Sequence, residues 1–249
     1  MAKRKQAIFR FYAELNDFLP KPNRQKDLVY SFWGSPAIKD AIEALGVPHP
    51  EVDLILVNQK SVDFNYRLQQ GDRVAVYPVF ELMDITPITR LRPKPLRETK
   101  FILDCNLGKL TKKLRMLGFD CLYRNDYSDK QIIQISREQK RIILTRDVGL
   151  LKNKNVTHGY WVRSTHPGQQ IREIIQKFDL TRQIRPFSRC MECNGLIEEV
   201  PKKVIEKHLP PRVLQSFGQF YRCQQCGKVY WQGSHYERMK KTIDKLKQF

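Results

Sequence analysis

The 249-residue chain is short of acidic residues, of histidine and of long apolar runs. Only 26 Asp and Glu stand against 45 Lys and Arg, which leaves a formal net charge of +19. No apolar run approaches the ~20 residues that a membrane-spanning helix requires. No apolar core follows the basic start Met1–Lys5, as it would in a secretory leader. A cytoplasmic protein in a reducing compartment is therefore expected. Repeats and low-complexity tracts are absent as well, which sets aside solenoids and tail-like disordered segments. Of the five histidines, His158 and His166 have no second nitrogen or sulfur ligand at fixed spacing, so they read as loop residues rather than metal ligands. The positive excess is spread along the chain rather than confined to one tail. Such an excess implies a polyanionic partner, most commonly nucleic acid. A membrane surface is the weaker alternative, because no strongly amphipathic helix with a broad apolar face stands outside the C-terminal tail.

Cysteine is scarce too, with six in all, yet four of them fall in two Cys-x-x-Cys pairs: Cys190 with Cys193, and Cys223 with Cys226. Each pair puts two thiolates on one tight turn, and two such turns complete a tetrahedral sulfur cage suited to structural zinc. Phe220–Arg222 and Val229–Trp231 flank the second pair like short strands, which is the pattern of a zinc ribbon. Disulfides or a redox pair are the alternatives. Nothing in the chain suggests secretion, and a redox motif would not need a twin. The stretch Pro201–Pro211, between the pairs, must bulge outward with a helical turn of its own. Loss of Cys190 is expected to unfold the ribbon and leave the preceding domain folded. Cys105 and Cys121 stand in apolar contexts and read as small buried residues.

Composition and periodicity divide the chain into 1–84, a Pro- and Arg/Lys-rich linker at 85–100, 101–182, and 183–249. In the first part, strands are expected over Ala7–Leu15, Leu28–Phe32, Val52–Val57 and a last segment ending at Pro78. A helix should start at Ser35–Pro36 and end at Gly46. This order resembles a ubiquitin-like β-grasp, and Leu54–Pro78 looks like the sulfur-carrier branch of that fold. The last strand runs into Val79–Met83 instead of an exposed Gly-Gly. Carrier chemistry is thereby excluded, and a docking role toward a protein partner is expected. The part 101–182 alternates strand and helix, which argues for a parallel sheet wrapped by helices. The whole is a multidomain α+β and α/β protein, closing with a basic helix from about Ser234.

In a parallel sheet, ligands bind beyond the carboxyl ends of the strands. Asp104 follows the strand Phe101–Leu103, and Asp147 follows Arg141–Leu144 by three residues. Asp129 opens a helix, with Asp126 just before it. Grouped carboxylates in a basic chain favour a hard divalent cation, magnesium or manganese, which serves phosphodiester hydrolysis. Equally, Asp129 with Ser128, and Asp147, are placed to cap helices. The run from Asp104 through Leu107-Gly108-Lys109-Leu110 to Leu114-Arg115-Met116-Leu117-Gly118-Phe119-Asp120 resembles the opening of the Mut-seven C-terminal RNase family, a PIN-like nuclease branch. Arg141–Asp147 is similar to its third-strand motif. The resemblance implies a metal-dependent endoribonuclease, with Asp104, Asp129 and Asp147 as acidic cluster, an N-terminal ubiquitin-like domain and a C-terminal zinc ribbon. A fourth acid is usual later in such domains. Here only Glu173 and Asp179 stand there, so Asp126 is a candidate for that place. Arg115 and Arg146 are candidates to hold substrate phosphate, and Thr145 to bond an Asp or a metal-bound water. A non-catalytic RNA- or ribosome-binding adaptor built on the ribbon is the alternative.

Overall fold

The computed structural model describes residues 4–78, 91 and 99–247. Most of the linker expected at 85–100, and Val79–Met83 before it, lie outside the described residues. The described residues form two compact units. One gathers the N-terminal residues with Ser136–Lys140 and Thr145–Trp161; the other gathers Thr99–Ile135, Arg141–Leu144 and Val162 onward.

The N-terminal strand β1 (Lys5–Phe11) alternates, burying Ala7, Phe9 and Phe11. It stops short of the expected Leu15. Ala13 takes a positive φ of 45° and opens a 3-10 turn, Ala13–Phe18. Asn16 Nδ2 locks that turn by donating to the carbonyls of Phe11 (2.9 Å) and Ala13 (3.0 Å). Then come β2 (Leu28–Phe32) and α1 (Ile38–Ala44), which buries Ile38, Ala41 and Ile42 at helical spacing. β3 (Val52–Val57) and β4 (Lys60–Ser61) meet at Asn58–Gln59. Both turn residues have positive φ, as the tightest hairpin turn requires. β5 (Arg73–Pro78) completes a sheet of order β2-β1-β5-β3-β4. β1 and β5 run parallel while the other pairs are antiparallel. This mixed sheet, with α1 in its core, is the ubiquitin-like arrangement expected.

The next part alternates as expected: β6 (Lys100–Leu103), α2 (Gly108–Met116), β7 (Asp120–Leu122), α3 (Asp129–Gln139), β8 (Ile142–Thr145), α4 (Val148–Leu151), β9 (Gly159–Trp161) and α5 (Pro167–Lys177). β6 lies between β7 and β8 and is parallel to both. All four residues of β8 are buried, as befits a strand covered on both faces. Phe101 of β6 meets Phe119 and Phe178 edge-on. α2 ends at Gly118, where φ is +95° and a Cβ would come within 2.1 Å of the Arg185 carbonyl oxygen. Only glycine lets the chain that leads into the cysteine module pass so close.

That module contains β10 (Ile197–Val200), α6 (Lys202–Ile205), α7 (Pro211–Ser216), β11 (Phe220–Cys223), β12 (Val229–Trp231) and α8 (Ser234–Lys247). The strands form an antiparallel sheet of order β10-β11-β12. β10 is an addition to the two strands expected. Its Ile-Glu-Glu-Val sequence exposes both glutamates on a sheet edge and gives little alternation to read. α8 lays Ile243 and Leu246 against the protein rather than standing free. Among the described residues no helix is long and apolar enough to cross a membrane.

Candidate metal centre and acidic site

The two cysteine turns are built alike. The residue after each second cysteine has a left-handed backbone, Asn194 at φ +74° and Gly227 at φ +72°. Its N–H turns back onto the carbonyl of the first cysteine, Asn194 to Cys190 (2.9 Å) and Gly227 to Cys223 (3.0 Å). The four sulfurs then lie within 4.8 Å of one another. Cys190 and Cys226 are 3.6 Å apart, and Cys193 and Cys223 are 3.4 Å apart. Those spacings are far too long for disulfides. Four sulfurs at metal bonds of about 2.3 Å stand about 3.8 Å apart, so the set fits a tetrahedral ion such as zinc. Burial raises the Cys190 thiol, but the Tyr230 hydroxyl at 3.0 Å and the backbone N–H groups of Cys193 and Glu192 bring it down to about 7. Burial, with the neighbouring sulfurs, pushes Cys193 up to about 12. One thiolate thus forms readily and the next is resisted, a conflict that a bound cation removes.

The first cysteine turn is fastened to α2 and β7. Arg115 on α2 is 4 % exposed. Its Nε and Nη2 donate to the Cys121 carbonyl (2.9 and 2.8 Å), and Nη1 donates to the carbonyls of Met191 (3.2 Å) and Glu192 (2.6 Å). Burial lowers its pKa. The expectation that Arg115 holds substrate phosphate is therefore corrected: its guanidinium is enclosed and bonded to backbone carbonyls. Asn194 adds a second link, accepting from Cys121 N (2.9 Å) and donating to Asp120 Oδ1 (2.8 Å). Asp120 also pairs with Arg141 (2.7 Å) and Arg189 (3.4 Å). Cys121 is buried as expected, whereas Cys105 is exposed, on the 3-10 turn directly after Asp104. Asn194 stands in no motif, and the runs that contain Asp120 and Arg141 give no sign that these two side chains pair.

Beside the module, Phe187, Tyr221, Tyr230, Trp231, Tyr236 and Met239 are among the residues lining a cavity of ≈ 290 Å³. Tyr236 of α8 tilts against Phe187 with ring centres 4.7 Å apart. These rings are half-buried, so part of each faces the cavity.

Of the candidate acids Asp104, Asp126, Asp129 and Asp147, Asp104 is the most buried, at 6 % exposed. It stands directly past β6, whose last residue Leu103 is level with Leu144 of β8. Its N–H donates to the Leu144 carbonyl (3.1 Å), and its Oδ1 accepts from Cys105 N (2.6 Å). Asp147 is exposed and caps α4, with Oδ1 accepting from Gly149 N (2.7 Å). Its own N–H donates to Oγ1 of the buried Thr145 (2.8 Å), so that hydroxyl shapes the Asp147 turn. Arg146 between them is half-buried. Asp129 is exposed at the start of α3. The capping there is done by Ser128 and Gln131, which exchange bonds in a capping box (2.9 and 3.4 Å). Asp126 is exposed and engaged on both oxygens by Arg124 (2.9 and 2.6 Å). Glu173 is likewise occupied, accepting from the N–H groups of Arg163 (2.7 Å) and Ser164 (3.0 Å). Among the described residues, the four cysteines are the one group of three or more His, Cys, Asp or Glu side chains with donor atoms gathered for a metal.

A mixed-sheet domain, a parallel α/β domain and a module whose four gathered cysteines could hold a metal together define a multidomain α+β protein. Residues 99–243 match the Mut7-C RNAse domain, and residues 4–84 match the Mut7-C ubiquitin domain. The first match spans more than half of the chain, and the chain belongs to the Mut7-C RNAse domain family. No curated protein and no solved structure matches it.

Proposed function

We propose that the chain is a metal-dependent endoribonuclease whose Asp104, Asp129 and Asp147 hold magnesium or manganese. The observation that carries this reading is Asp104, a buried carboxylate directly past a parallel strand inside the part that matches an RNase family. Three carboxylates are a hard oxygen donor set, suited to these cations. Bound there, the cation would activate water and stabilise charge on the leaving oxygen of a phosphodiester. The chain's own residues set the stage. Cys105 N–H fixes one oxygen of Asp104, Gly149 N–H fixes one of Asp147, and Arg146 supplies positive charge beside it for phosphate. Zinc on Cys190, Cys193, Cys223 and Cys226 is structural in this reading, because protein fills all four positions. The half-exposed rings of Tyr221 and Trp231, with the basic α8, offer stacking faces and charge to single-stranded RNA.

The test is incubation of the purified chain with RNA, with and without manganese. Cleavage should require the metal. Asp104→Asn or Asp147→Asn should slow it at least ~100-fold, since a lost ligand removes the cation's contribution. A variant cutting as fast as the parent at saturating manganese would end the proposal. One observation favours a second reading, an RNA- or ribosome-binding adaptor: the cysteines are the one gathered metal-binding set among the described residues. The adaptor would bind RNA with the same affinity and cut none of it.

A further inference from the structure

His49 and Glu51 stand on the 3-10 turn His49–Glu51, between α1 and β3 of the ubiquitin-like domain. They are only 6 % and 2 % exposed. Ionisable side chains are rarely buried unless they are hydrogen-bonded. Their partners lie far along the chain, in Thr145–Trp161, the stretch that belongs to the same compact unit. His49 Nδ1 meets Glu43 Oε1 at 2.5 Å, which sets the ring. Its Nε2 lies 2.6 Å from the Val156 carbonyl oxygen. That oxygen only accepts, so Nε2 is the donor in this contact. Glu51 Oε1 accepts the backbone N–H of Trp161 (2.5 Å). Phe18 packs on the Trp161 ring with centres 5.0 Å apart, and Phe64 meets His49 edge-on at 5.8 Å.

Trp161 carries the contact onward. Its indole N–H donates to the carbonyl of Arg146 (3.3 Å), the residue directly before Asp147. A connected path therefore runs from Glu51 and Phe18, through Trp161, to the backbone that presents Asp147. The stretch needs such a hold. Its only regular elements are the four-residue α4 and the three-residue β9. One helical turn does not stand by itself in water, and a metal-holding carboxylate must be fixed to within about 0.5 Å.

We propose that the ubiquitin-like domain is a built-in clamp on the Asp147 stretch, with Trp161 as the positioning residue that passes the hold to Asp147. Its partner is this chain's own RNase domain, and the link to cleavage rests on the nuclease reading above. The clamp gives the β-grasp a purpose that needs no Gly-Gly end. Its surface takes backbone, the Trp161 N–H on a carboxylate and the Val156 carbonyl on an imidazole, with Phe18 against the Trp161 ring.

Two full-length variants test it. Glu51→Ala removes the acceptor for Trp161 N–H. Trp161→Phe keeps a ring against Phe18 and deletes the indole bond to Arg146. Hydrogen exchange is the first measurement. Loss of one such bond should speed exchange about 10-fold, at residues 146–149 in both variants and at the Trp161 amide in Glu51→Ala, with the cysteine module unaffected. Metal dependence is the second. Trp161→Phe should raise the manganese concentration for half-maximal cleavage about 10-fold, as loss of an outer-shell partner does, while KM for RNA stays the same. A purely structural tryptophan would not separate these two constants. If Glu51→Ala does not fold, Trp161→Phe decides alone. Unchanged exchange at 146–149 in Trp161→Phe overturns the clamp. If the parent cuts no RNA with manganese, the nuclease reading falls, and the exchange data still decide whether the clamp exists.

Discussion

Asp120 keeps its charge although its side chain is only 16 % exposed. Burial by itself raises a carboxyl pKa. Bonds from Arg141 and Asn194, and the charges of Arg141 and Arg189, outweigh that and bring Asp120 below its ordinary 3.8. A carboxylate depressed in this way contributes stability above its unfolded-state pKa and loses it as pH falls through the folded-state value. Comparing the parent with Asp120→Asn in urea should therefore show a stability gap that is flat from about pH 5 to 7 and closes below about pH 4. A gap of the same size at both ends would mean that shape, not charge, makes Asp120 matter. Asn194 combines two demands at one position. It accepts a left-handed backbone, which few side chains tolerate, and its amide joins β7 to the cysteine turn.

At the scale of elements, the first cysteine turn is not a separable appendage. Arg115, Asn194 and the close pass at Gly118 join it to α2 and β7. The expectation that loss of Cys190 spares the preceding domain changes accordingly. Cys190→Ser, or strong chelation, should lower the unfolding midpoint of α2 and β7 together with that of the ribbon, in one transition. Circular dichroism and fluorescence read against zinc content would check it; two separate transitions would show independence. The paired cysteines were legible because their four ligands depend on local spacing alone. β2, β3 and β5 were legible through short, strongly apolar runs, and Asp104 and Asp147 through their position past such runs. Arg115 was not, because a helical arginine reads as solvated and two of its three carbonyl partners lie 76 and 77 residues further on. His49 and Glu51 were hidden for the same reason, with partners 107 and 110 residues away. The early end of β1 turned on Ala13 at positive φ, a conformation alanine seldom takes.

Over the whole molecule, the charge of +19 sets a measurable salt response. Ile243 and Leu246 hold α8 against the protein, so removing the helix would expose apolar surface as well as delete charge. Lys240, Lys241 and Lys245 are exposed on it and offer the cleaner change. Replacing all three by alanine should flatten the logarithmic salt dependence of RNA binding by up to about 2, at about 0.7 for each phosphate contact on single strands. An unchanged slope would move the grip to another face. The two compact units are interleaved along the chain: backbone passes from one to the other after Ile135, Lys140, Leu144 and Trp161. A molecule threaded in this way should survive being made in two pieces. Residues 1–84 and 99–249, produced as separate polypeptides in one cell, should find each other without a peptide bond between them and elute as a single species on gel filtration. The Glu51→Ala half should lose its companion on the same column. Such a split pair would turn the ubiquitin-like half into a subunit that can be added or withheld, and the Asp147 stretch into something assembled on demand.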